Sequence, residues 1–170
     1  MSDKGAGKRV LAPIVGAGVL ATVLSAAPAF AAEADFTYEL PAGLACAFPL
    51  KIEGTGDNRI MKEFTDRDGN VVRMLSAGRG FELTFTNLTS GRSVTVPSNG
   101  SVQQTTIEAD GSLTVQDTGH NVVVLFPTDV PAGPSTTLYT GRLVYTVDLA
   151  GVFTVQSISG RTSDICARLA

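Results

Sequence analysis

The chain has no tryptophan, one histidine and two cysteines among its 170 residues, and only 6% of it is aromatic. One histidine and two cysteines are too few for a zinc finger or an iron–sulfur centre, each of which needs four such ligands. Without tryptophan there is no buried Trp packed on a disulfide, the mark of antibody-type domains, so any likeness to that class is one of architecture. Charge is scarce as well: 17% of residues are charged and the net charge is −3, against ~25% charged in an average soluble domain. That balance excludes a basic nucleic-acid surface. A hydrophobic content of 44% excludes a disordered chain. No Gly-x-Ser-x-Gly nucleophile elbow occurs.

What is present begins with an export signal. Lys4, Lys8 and Arg9 precede an uncharged run from Val10 to Ala27, and Pro28-Ala29-Phe30-Ala31-Ala32 follows. A basic start, an apolar middle and small residues three and one before the cut define a secretory signal peptide. Ala29 and Ala31 fill the two small positions, which predicts cleavage between Ala31 and Ala32. Cutting after Ala32 instead would put Phe30 in the pocket for a small residue. The rival reading is an uncleaved anchor, since the eighteen-residue run just reaches across a bilayer. Lipidation is rejected, because Cys46 lies well past the run and Leu44 stands one place too close to it. The expected organisation is a signal at 1–31 and one domain at 32–170, secreted to the medium or the cell wall and free of membrane after cleavage. Loss of Lys4, Lys8, Arg9 and Asp3 leaves that domain near −5, a mildly acidic exterior.

Cys46 and Cys166 stand near the two ends of this domain. In an exported protein an even pair reads as a disulfide. Such a bridge closes almost the whole domain into one loop.

Between the cysteines the dominant period is two. Phe36, Tyr38 and Leu40 alternate with polar residues, as do Cys46, Phe48, Leu50 and Ile52, then Phe81, Leu83 and Phe85, then Val94 and Val96. These are half-buried strands. Pro49 and Pro97 belong at strand ends, because proline cannot donate a ladder hydrogen bond. Asn121–Phe126 reads as a buried strand and Leu138–Asp148 as a long one broken at Gly151. Asp66–Asn70, Asn87–Gly91, Ser98–Ser101, Asp110-Gly111 and Ser159–Arg161 read as turns. About nine or ten short strands at this spacing predict an all-β, antiparallel β-sandwich of immunoglobulin-like architecture, with a closed barrel as the alternative.

Three segments carry candidate chemistry. Asp66-x-Asp68-x-Asn70 has the spacing of half a calcium loop, but Val71 stands where the EF-hand needs glycine and Ala77 where it needs glutamate. It reads as a polar hairpin turn. His120 is the only residue on which a Ser-His-Asp device could be built. Its context, Asp117-Thr118-Gly119-His120-Asn121, reads as a turn entering a buried strand. Phe126–Ser135 holds three prolines and reads as a stiff loop, either a binding surface or a crossover between sheets.

Several segments resemble small exported proteins of actinobacteria: Gly119-His120-Asn121, Leu125–Pro134, Leu138–Arg142, Ser159-Gly160-Arg161 and Asp164-Ile165-Cys166-Ala167. The likeness covers most of 36–170. It implies export, a bacterial source and the terminal bridge, and it carries no activity and no catalytic residues. The expectation is therefore a secreted, non-catalytic extracellular or wall-associated protein, acting through loop surfaces on an extracellular ligand or protein. No cofactor, metal or nucleic acid is called for. The alternatives are an inhibitor or small-ligand carrier, and a secreted hydrolase using His120.

Overall fold

The computed structural model describes residues 33–170. The expected signal peptide and its cut at Ala31 and Ala32 lie outside the described residues.

The alternating runs become ten strands. They are β1 (Phe36–Leu40), β2 (Leu50–Thr55), β3 (Asn58–Thr65), β4 (Val71–Arg79), β5 (Glu82–Asn87), β6 (Ser93–Val96), β7 (Ser101–Ile107), β8 (Leu113–Leu125), β9 (Ser135–Val147) and β10 (Phe153–Asp164). All ladders are antiparallel. They form one sheet of four strands, ordered β1-β2-β5-β6, and one of six, ordered β10-β9-β8-β7-β4-β3. Neither closes, so the architecture is an open β-sandwich and not a barrel. Pro49 precedes β2 and Pro97 follows β6, where the missing N–H is harmless. Among the described residues no helix is long and apolar enough to cross a membrane.

Four readings of the sequence are corrected. Asp117–Asn121 is not a turn but the middle of β8, and Ser159–Arg161 lies inside β10. The proline-rich loop does not cross between sheets, because β8 and β9 are neighbours in one sheet. The run beginning at Cys46 becomes strand only at Leu50. A short helix, α1 (Ile165–Leu169), ends the chain; Asp164 caps it by accepting from Ala167 N at 2.9 Å, and it buries Ile165 and Leu169.

Two cores hold the molecule. The first gathers Leu50, Ile52, Phe85 and Val96 of the small sheet with Ala45, Cys46, Ile165 and Leu169. The Cys46–Cys166 disulfide, with Cα atoms 5.6 Å apart, pins α1 to the segment before β2. Buried polar groups here find partners: Thr136 Oγ1 donates to Ala45 O at 3.0 Å, and Asn87 Nδ2 donates to Leu169 O at 3.1 Å. The second core joins Val115, Leu143 and Tyr145 to Val123, Leu125 and Tyr139.

That second grouping requires the long strands to fold double. Leu113 pairs with Val147 at one end of the β8–β9 ladder, and Leu125 pairs with Ser135 at the other, twelve residues on. A straight strand of that length spans roughly 40 Å. Yet Asp129, in the loop after β8, accepts from Phe126 N at 2.6 Å and from Phe153 N at 3.0 Å. Phe126 directly follows Leu125, whereas Phe153 pairs with Val147. One carboxylate therefore ties together the two far ends of the ladder, and a parallel bridge from Val130 to Thr154 reinforces it.

The crease is a row of glycines. Gly119 pairs with Gly141, Gly141 with Gly160, and Ser101 stands between Gly119 and Gly78. Gly78, Gly119, Gly141 and Gly160 have φ of 136°, 95°, 136° and 125°, a region that side chains avoid. A Cβ on Gly119 would stand 2.6 Å from Gly100 O, and one on Gly141 or Gly160 would be closer still to backbone oxygen. The crease divides the β8–β9 ladder into a first arm (113–118 with 142–147) and a second arm (120–125 with 135–140). The second arm is covered on both faces. Val123, Leu125 and Tyr139 meet the first arm, while Val122, Val124 and Leu138 pack on the first core.

Candidate functional site

The crease leaves a gap. The β7–β8 ladder ends at Ser101 opposite Gly119. Beyond that point, among the described residues, no strand runs along the flank of His120–Leu125 that faces away from β9. The chain passing from β4 to β5 at Gly80-Phe81 and the start of β3 at Arg59 partly cover this flank, and a cavity of about 350 Å³ lies between. That volume falls in the range of small-ligand sites, roughly 300–1,000 Å³.

The apolar walls come from Phe81, Leu83, Val122, Val124 and the pair Tyr145 and Phe153. The last two rings stack with centroids 5.3 Å apart and planes 20° from parallel. Polar groups converge from both arms: Gln103 and Asp117 from the first side of the crease, His120 and Asn121 from the second.

Asp117 is the most confined of them, at 3% exposure. Its strand position places it between Val115 and the crease, on the face that meets the second arm. Burial lifts its carboxyl above the ordinary carboxylate range, and the Gln103 amide beside it pulls the other way. Burial and the nearby Asp117 both push the Tyr145 phenol up. Asp117 Oδ1 and Asn121 Nδ2 are buried and have no hydrogen-bond partner. Each such atom costs about 1–3 kcal/mol.

The two basic groups on the cavity wall are engaged elsewhere. Arg59 binds Asp57 through Nε at 2.9 Å and Nη2 at 2.6 Å, and these side-chain hydrogen bonds hold the Asp57 carboxyl below the ordinary range. Its guanidinium carbon sits 5.7 Å from the Phe81 ring centre. His120 Nδ1 lies 3.3 Å from Asn99 Nδ2.

The residues singled out in the sequence are distributed differently. Cys46 and Cys166 are bonded, as expected. His120 lines the cavity. Ser101 and Asp117 line it too, but no hydrogen bond joins His120 to either among the described residues, which leaves no relay from acid to base to nucleophile. Asp129 spends both oxygens on backbone amides at the loop. Asp66 organises the β3–β4 turn, accepting from Asp68 N at 2.8 Å and Asn70 N at 3.0 Å. Among the described residues no three His, Cys, Asp or Glu side chains gather to hold a metal.

Sequence reasoning passed over Asp117 and Asn121 as chemistry. The usable signal was an acid on the strand face that also carries Val115, four places before an amide on the face of Val123. No family model, no curated protein and no solved structure matches this chain.

Proposed function

We propose that residues 32–170 form an exported, non-catalytic domain that holds a small ligand in the cavity at the crease. The observation that carries this reading is the pair of buried, unpartnered polar atoms, Asp117 Oδ1 and Asn121 Nδ2, on the wall of a ligand-sized cavity. Native folds satisfy nearly all their buried polar atoms, so two on one cavity wall call for an external partner. The site lies between strands, which favours the carrier form of the function over recognition through loops. A disulfide joining the ends of the domain suits an oxidising exterior. That agrees with a signal at 1–31 and with the resemblance to exported actinobacterial proteins.

The test is a thermal melt of the exported, processed protein against a panel of small amines, amides, carboxylates and sugars. A ligand at a hundred times its Kd adds about 2.7 kcal/mol, and the melting temperature should rise by roughly 5–10 °C for a domain of this size. A panel that moves the melt nowhere overturns the reading. Turnover of any panel member that is lost on His120→Ala overturns its non-catalytic part.

A further inference from the structure

We infer that the cavity selects an organic ammonium ion, a protonated amine carried on a small apolar body with an oxygen acceptor nearby. This rests on the ligand-binding reading above and adds the chemistry of the ligand.

The argument starts from charge. Asp117 is buried, and among the described residues one of its oxygens is unpartnered and no lysine, arginine or histidine pairs with it. Buried charges persist in proteins when an opposite charge or a metal answers them. The cavity's own basic side chains do not answer this one, since Arg59 is forked onto Asp57 and His120 is turned to Asn99. Among the described residues no three His, Cys, Asp or Glu side chains gather at Asp117 to hold a metal. An ammonium group supplies the missing charge and donates to Oδ1 in the same contact.

The walls point the same way. Tyr145 and Phe153 stack on each other, and both line the same cavity as Asp117 and Phe81. Aromatic faces attract a desolvated cation as well as an apolar body. Asn121 Nδ2 is a donor without an acceptor, so a hydroxyl, ether or carbonyl oxygen on the ligand completes the site. A neutral sugar or amide would satisfy both hydrogen bonds but leave the carboxylate uncompensated, which is why the amine is the occupant assigned.

The experiment compares matched pairs by calorimetry on the exported protein: phenylethanolamine against phenylethanediol, and aminobutanol against butanediol. Each amine should bind at least about tenfold more tightly than its diol. Asp117→Asn should weaken the amines by about a hundredfold and the diols by much less, so that the amine preference is lost. The melt of the Asp117→Asn protein, expected at or above that of the parent, shows that the variant is folded. Diols that bind as well as amines, or an Asp117→Asn protein that keeps amine affinity, overturn the ammonium assignment and leave the carrier reading standing. Failure of both pairs together with the wider panel overturns both.

Discussion

The two cores are built to opposite ends, the first on β2, β5, β6 and α1, the second on β8 and β9. In the first, Phe85, Leu50, Ile165 and Leu169 are wholly or almost wholly buried, the polar groups of Thr136 and Asn87 are satisfied, and a disulfide closes the shell. In the second, apolar residues from both arms surround a carboxyl and an amide with unmet hydrogen bonds, next to open space. One is organised for stability. The other gives up stability at a defined place, which is the usual signature of a site. Substitutions in the two should therefore differ in sign as well as in size.

The largest effect belongs to the first core. Phe85→Ala removes a fully buried ring and should cost about 3–5 kcal/mol, read from denaturant unfolding. Opening the bridge with Cys46→Ala, or by reduction, should cost about 2–5 kcal/mol; an unchanged melt would mean that the bridge constrains nothing. Gly141→Ala tests the crease about which the second core folds. Its φ of 136° and the backbone oxygen in its path should cost about 2–3 kcal/mol, with ligand affinity falling alongside stability because the arms move.

The smallest effect, and the one of opposite sign, is at Asp117. Its carboxyl binds a proton more tightly folded than unfolded. Its contribution is therefore fully present below the ordinary carboxylate range and is lost as pH rises through the higher folded value. Tyr145, Gln103 and His120 are the groups around it, and none is a cation bonded to it. At neutral pH Asp117→Asn should raise the melting temperature, and the gain should vanish below about pH 4. A variant less stable at neutral pH would erase the distinction between the cores.

Much of the sandwich was legible, because alternation is local. Phe81, Leu83 and Phe85, or Val94 and Val96, announce their faces within a few residues. The cysteine pair was legible from compartment and position. The crease was not. Gly119 and Gly160 look like turn glycines to their neighbours, and only cross-strand register places Gly119, Gly141 and Gly160 in one line. The site depends on that line, so it was hidden as well. Asp117 appeared as one polar residue among several until the fold brought the second arm over it. His120 drew notice as the lone histidine, and the structure seats it on the cavity wall with Asp117 and Asn121. The proline-rich loop was legible as stiff but not as to purpose. Asp129 uses it to bind the two ends of the folded ladder.

The terminal bridge has a mechanical consequence. Tension applied between the two ends of the domain reaches Cys46 from one side and Cys166 from the other, and then crosses a covalent bond. The residues between the cysteines, which stand 120 positions apart, lie off that line of force. Only β1 and the residues flanking the bridge would be stretched, while the crease and its cavity stay unloaded. A chain tethered at one end and pulled at the other would thus keep the fold between the cysteines unloaded until a disulfide breaks.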